Sequence, residues 1–456
     1  MATTYLSRAA ADFGTPTNRK KCTISFWLKR ASLTVQQAVM GVETTPAGGA
    51  NEARFILRGD DTLEFYDYQS GYTFRYITTR KFRDTSAWYN FVIKIDTSQA
   101  NVTHRCRLYV NGQEETSFAT ESNPAQNQDT FLNSGNYVQI GRQSTGNSYL
   151  NGLLSHYHFI DGEDRGPEYF GETDSTTGVW KIKTEATGVN YGTNGFFILK
   201  DGNSVTDQSG EGNNFTVAGG TLTKTEDCPS NVFATGNLLN VNADGVGTFS
   251  NGNNTIKVAS STGSQFGSSS TLGMITGKFY CELKIVTVDS CLIGVTPSPL
   301  GDARNDKSPS GANGSLAVGC LVGSGNKYVS DNGSTYGAAT SVGGIMMIAL
   351  DLDNLKVYFG SGGQWSNGSG SWNQSGLTSG AAISITAVAD TAEGAYFFGF
   401  GDGGGSEKAK VAWNFGNGYF ETTAVSSAGT NASGIGIFEY DVPAGFTALS
   451  TKGLNE

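Results

Sequence analysis

Short runs in which apolar and polar residues alternate recur roughly every dozen positions along this chain, and no stretch of helical periodicity separates them. CTISFWLKR places Cys22, Ile24, Phe26 and Leu28 on one face and Thr23, Ser25, Trp27 and Lys29 on the other. WYNFVIKID alternates Phe91, Ile93 and Ile95 against Val92, Lys94 and Asp96. GKFYCELKI sets Phe279, Cys281, Leu283 and Ile285 on one side and leaves Tyr280, Glu282 and Lys284 outside. Residues 343–359 carry an apolar run, the acidic turn Asp351-Leu352-Asp353-Asn354 and a second β-rich run, which spells a hairpin. Asn111-Gly112 marks another. One-sided strands of this kind bury their apolar faces by stacking sheets, so the expected fold class is all-β, built from antiparallel β-sandwiches.

Composition narrows the function classes. The 456 residues are enough for two or three cores. Sixty-two glycines without a G-X-Y period exclude collagen and mark turns. Charged residues are 16% of the chain, so the surface is built from Asn, Ser, Thr, Gln and Tyr, which suits hydrogen-bonding and stacking contacts. A net charge of −10 without a basic cluster argues against nucleic acid. No apolar run approaches the ~18 residues of a membrane span, so no membrane insertion is expected. The opening MATTYLSRAAADFGTP lacks the layout of a signal peptide, so the product is expected to fold in the cytoplasm that made it or to leave by another route, such as inside an assembled particle. The six cysteines are scattered without a C-x-x-C pair and read as small buried thiols.

Two family resemblances lie on these strands. AWYNFVIKID, RLYVNGQE, YVQIGRQ and LNGLLSHYHFIDG follow one another as in laminin-G-like, concanavalin-A-like jelly rolls. GKFYCELKI, LIGV, the Tyr-rich loop, the 343–359 hairpin and Asn414-Phe415-Gly416 resemble the series of a SPRY domain. Where many relatives have a Lys-Asn-Gly hairpin, this chain has Gly360-Ser361-Gly362-Gly363. The expected organisation is a laminin-G-like/concanavalin-A-like sandwich over residues 1–170, a small connecting β subdomain over 171–235, and a SPRY-like jelly-roll sandwich over 236–456. DQSGEGNNFT in the connecting piece resembles a D-x-S-G-x-G-N-N turn of laminin-G-like domains, and PAGFTALST resembles a tail that follows SPRY-like domains in phage proteins. The combination resembles virion proteins of tailed bacteriophages, especially marine ones. It implies a virion structural protein made in the host cytoplasm, either a tail fibre or a capsid-surface fibre or decoration, with other virion proteins as partners.

The chemistry expected of the chain is attachment. A glycosidase on this fold needs two carboxylates on one strand, two or four residues apart. Glu64 and Asp67 are three apart and fall on opposite faces, and Glu163, Asp164 and Glu168 sit in a turn. His156 and His158 share a face, taken as the outer one, with no third ligand in view. Trp365 and Trp372, set among Gly, Ser and Asn, and Tyr328 and Tyr336 in the preceding loop are candidate stacking residues for a ligand. The laminin-G-like resemblance implies calcium in oxygen-rich loops, for which Asp60, Asp61, Asp161, Glu163 and Asp207 are candidates; ordinary turn formation is the competing reading. The glycine-rich strings at 361–371 and GDGGGSEK from Gly401 read as loop tips rather than phosphate cradles. The expectation is a non-enzymatic, multivalent protein that contacts host-surface glycan and self-associates, with a trimer as first guess. A purely architectural virion protein and a glycoside-active enzyme are the alternatives.

Overall fold

The computed structural model describes residues 3–47, 49–143, 148–200, 204–241, 247–258, 266–288, 291–297, 309–310, 316–391, 393–402 and 409–456. Most of the GDGGGSEK string lies outside them. The chain divides into two compact units, Met1–Lys224 and Thr225–Glu456. Both are β-sandwiches whose sheet neighbours are almost all antiparallel, so the all-β, two-sandwich class expected from the alternation is the one observed.

In the first unit an eight-stranded sheet runs, in spatial order, Phe118–Ser122, Tyr72–Lys81, Thr62–Gln69, Asn51–Leu57, Gln37–Glu43, Tyr137–Ile140, Tyr5–Arg8 and Thr216–Gly219. It faces a six-stranded sheet of Phe196–Ile198, Gly152–Asp161, Lys21–Arg30, Tyr89–Asp96, Cys106–Val110 and Gln113–Glu115. The predicted inward residues Cys22, Ile24, Phe26, Leu28, Phe91, Ile93 and Ile95 form the core with Phe55, Phe65 and Tyr157. The stretch 171–235 is shared out rather than standing as one subdomain. Gly171–Thr173 and Trp180–Ile182 pair with each other, Phe196–Ile198 joins the six-stranded sheet and Thr216–Gly219 joins the eight-stranded one. Phe196, Ile198 and Phe215 supply the reason, since all three are buried in the first core.

The strand Gly152–Asp161 departs from simple alternation. A bulge between Ser155 and His158 puts His156 at φ 47°. Leu154, Tyr157 and Phe159 all reach the core in consequence. His156 and His158 are buried, contrary to the expected solvent-facing placement. His158 stacks on its cross-strand partner Phe197 at 3.9 Å, and the segment after the strand folds back over this face, where Tyr191 Oη bonds the imidazole at 2.7 Å. Burial, with His156 and Lys200 nearby, holds His158 well below the usual imidazole range.

The second unit pairs a seven-stranded sheet with a larger one in which Lys278–Thr287 lies between Lys410–Asn414 and Ile345–Asp351. The 345–361 hairpin forms as expected. Asp351 accepts from Asn354 N and Nδ2, both at 2.9 Å, and pairs with Lys278 at 3.0 Å. The departure at 360–363 is a two-residue turn, with Ser361 opposite Gln364 and Gly362 and Gly363 at φ 61° and 81°. Only residues that tolerate two successive positive φ values make that turn, which is why two glycines stand there. Tyr280 and Glu282 point away from the main core as predicted, yet both are fully buried. The C-terminal segment covers them, with Phe438, Val442, Phe446 and Ala448 packed on Tyr280, Met347 and Trp365.

Cys22 and Cys106 lie in the first core and Cys281, Cys291 and Cys320 in the second. Tyr157 is fully buried, stacked on Phe26 at 5.1 Å, and among the described residues its hydroxyl has no hydrogen-bond partner. An unpaired buried hydroxyl costs roughly 1–3 kcal/mol, so removing it outweighs the small loss of volume. Tyr157→Phe is expected to raise unfolding free energy by about 1 kcal/mol in urea titration, with an unchanged m-value.

Candidate functional site

The four aromatic candidates do not converge on one open site. Trp365 is buried, edge-on to Tyr280 at 6.2 Å. Tyr336 is fully buried, donating to Ala381 O at 2.8 Å and accepting from Phe359 N at 3.2 Å. Both are corrected to packing residues, because no ligand can reach a ring that the core encloses. Trp372 is half-buried, its Nε1 donating to Ala338 O at 2.8 Å and its ring laid edge-on to Tyr336 at 6.1 Å. Gly337 lies directly beneath that indole, where any Cβ would clash. Tyr328 is half-buried over Gly333. These two keep some exposed ring.

The acidic candidates are engaged by protein groups. Asp61 is fully buried, accepting from Thr34 N at 2.8 Å and pairing with Arg30 at 3.2 Å and Arg83 at 3.0 Å. Burial works to raise its carboxyl, but the Thr34 N–H and the two guanidinium groups prevail and hold it below the usual range. Asp60 closes its own turn on Thr62, with Oγ1 at 2.6 Å. Asp161 accepts from Thr17 N at 2.7 Å, Asn194 N at 3.1 Å, Asn18 N at 3.3 Å and Asn133 Nδ2 at 2.7 Å. Glu163 pairs with Arg165 at 2.7 Å. Asp207, heading the D-x-S-G-x-G-N-N turn, accepts from Phe197 N, Ser209 N and Asn213 N at 2.8–2.9 Å. The calcium candidates therefore serve as acceptors for loop amides and partners for arginine. Among the described residues no group of three or more His, Cys, Asp or Glu is placed to hold a metal ion.

A different constellation lies on the outer face of the eight-stranded sheet. One cross-strand row runs Glu43, Glu52, Tyr68, Tyr72, and the next runs Gly41, Arg54, Tyr66, Arg75. Arg54 bonds Glu43 at 3.2 Å and also bonds Glu52, which accepts from Tyr66 Oη at 2.7 Å. Glu64 is held by Arg58 at 2.7 Å and Arg75 at 2.8 Å. Asp67 turns to the other side and accepts from Leu132 N at 2.8 Å, as the three-residue spacing requires. Tyr72 is 48% exposed, edge-on to Tyr66 and Tyr68 at 5.4 and 5.3 Å, with the Arg75 guanidinium 4.7 Å from its centroid. Sequence reading overlooked this lattice because its rows run across strands. The signal available was Tyr66 and Tyr68 two apart on one strand, with Tyr72 just past the Ser70-Gly71 turn.

Fold and surface together define a two-sandwich protein whose first unit presents a polar, tyrosine-bearing sheet face. Residues 3–163 match a family described as the Concanavalin A-like lectin/glucanases superfamily. No curated protein matches the chain. Solved structures with partial likeness include the SPRY domain of human HERC1, with 14% identity over 39% of this chain and 96% of that one and a TM-score of 0.29. A putative carbohydrate binding protein from Bacteroides ovatus has 17% identity over 50% of this chain and 59% of its own, with a TM-score of 0.32. Another human SPRY domain has 12% identity over 35% and 90%, with a TM-score of 0.26.

Breaking a buried ion pair from one side costs roughly 3–5 kcal/mol. Asp61→Asn is expected to destabilise the first unit by about 3 kcal/mol, while added calcium or a chelator leaves the wild-type melting temperature unchanged. A calcium-dependent rise in melting temperature would return these carboxylates to the list of metal ligands.

Proposed function

We propose that this chain is a non-enzymatic virion protein of a tailed phage, a tail fibre or a capsid-surface fibre or decoration, that contacts host-surface glycan through the outer sheet face of its first unit. The exposed Tyr72 platform is the observation that carries the reading. An aromatic face flanked by fixed hydrogen-bonding groups suits a pyranose, whose C–H face stacks while its hydroxyls meet carboxylate and guanidinium. The ordered series of sequence elements supports the virion setting.

The charges on that face favour a neutral sugar. Arg54, Arg58 and Arg75 are matched by Glu43, Glu52 and Glu64, each arginine being already paired. An anionic glycan would have to displace one of those carboxylates. The same pairing supports binding over hydrolysis. Glu43 and Glu52 stand directly opposite across their strands, but Arg54 bridges them, where a glycosidase needs one carboxyl free to deliver a proton. A single stacked sugar gives weak affinity, so several copies per particle, a trimer as first guess, would supply avidity.

One observation favours the purely architectural reading. Thr216–Gly219 ends the eight-stranded sheet, its sequence TVAG carries neither charge nor proline, and Val217 is 43% exposed. An unblocked edge of that kind suits a neighbouring chain.

A panel of oligosaccharides on purified protein tests these readings together. Binding of neutral sugars that weakens about tenfold in Tyr72→Ala is expected. No binding to any sugar, with the protein found at an internal joint of an intact particle, would leave the architectural role. Released reducing sugar would reinstate the enzyme.

A further inference from the structure

The outer face of Lys278–Thr287 is covered by residues 426–448, and the contact is centred on one acid. Glu282 Oε1 accepts from Tyr440 N at 2.8 Å and Tyr280 Oη at 2.9 Å, and Oε2 accepts from Glu439 N at 2.9 Å and Asn414 Nδ2 at 3.2 Å. Two of the four donors are backbone amides of the covering segment. That segment is largely self-contained, with Gly429 N bonded to Phe438 O and Val442 N to Thr430 O. Beneath it lies an apolar patch of Tyr280, Met347, Ala349 and Trp365.

We propose that residues 426–448 form a strap latched to the sheet by Glu282, and that ionisation of this carboxyl loosens the latch and uncovers the apolar patch. The inference is independent of any glycan site on the first unit. The titratable groups on the face of Glu282 are Tyr280 and Lys284 from its own strand and Tyr440 and Glu439 from the strap. The flanking strands present Met347 and Asn414. Glu439 turns its own carboxylate to Ser426, and none of the four groups bonded to Glu282 is a cation. Burial pushes the Glu282 carboxyl up from the ordinary 4.5 to about 7, against the pull of its four donors. A protonated Glu282 can turn its proton only to the Tyr280 hydroxyl, which then gives up its own donation to Oε1, since Asn414 Oδ1 is already bonded by Gly416 N and Gly418 N.

The latched state therefore holds a proton that a released, hydrated carboxyl gives up. Closure takes up a proton between pH 4.5 and about 7. Opening becomes easier as pH rises through that window and levels off above it.

Hydrogen exchange on the full chain, corrected for intrinsic rates, tests this. From about pH 5 to about pH 8, protection of amides in residues 437–446 is expected to fall on the order of a hundredfold, while the strand Cys291–Thr296 in the other sheet is unaffected. Glu282→Gln is expected to flatten the dependence. Tyr280→Phe, which removes one donor to the ionised carboxylate, shifts the dependence to higher pH and serves if Glu282→Gln does not fold. Strap protection that is constant with pH in the wild-type chain, or equally pH-dependent in Glu282→Gln, overturns the proposal.

Discussion

Chain that crosses the face of a sheet carries N–H groups that no strand can satisfy, and leaving one buried and unpaired costs as much as a lost hydrogen bond. This protein meets that constraint with buried carboxylates and amides. Asp161 takes the amides of Thr17, Asn18 and Asn194, and Asp207 takes those of Phe197, Ser209 and Asn213. Glu282 takes those of Glu439 and Tyr440, and Asn414 those of Gly416 and Gly418. A chain with few charges thus spends several of them inside. Those acids resemble a metal site or a catalytic pair in sequence while acting as anchors for loops.

The anchors permit a third layer on each sandwich. In the first unit Phe170 and Tyr191 lie on Val92, Ile160, His158 and Phe197 of the six-stranded sheet. In the second, the strap lies on Tyr280 and Met347. The closing Asn414-Phe415-Gly416 motif belongs to this device. Asn414 Nδ2 reaches Ile437 O, and Gly416 sits at φ 116° where a Cβ would meet Phe233. Glycine is needed there for both reasons.

Period two reveals which side of a strand a residue takes, and the core followed from it directly: Cys22, Ile24, Phe26 and Leu28, and Phe279, Cys281, Leu283 and Ile285, all point inward. It does not reveal whether the other side meets water. His158, Tyr280 and Glu282 were therefore expected at the surface, and distant segments bury them. The same ambiguity applies to aromatic residues in polar loops. Trp365 and Tyr336 occur in polar, glycine-rich sequence, yet the C-terminal segment encloses the one and the core of the second unit the other. The tyrosine lattice stayed hidden for the converse reason: Glu52, Arg54, Tyr66 and Arg75 come together only once three strands are in register.

The inner acids serve as fixed acceptors for loop amides, and the proposed role leaves the outer face of the first unit to meet a ligand. The most direct test is an experimental structure fine enough to place solvent, from crystals soaked with calcium and a neutral oligosaccharide. The expected result is Asp161 and Asp207 bonded to their loop amides without an ion, and sugar density over Tyr72. A cation at about 2.3–2.6 Å from either aspartate, with the amides turned away, would contradict it.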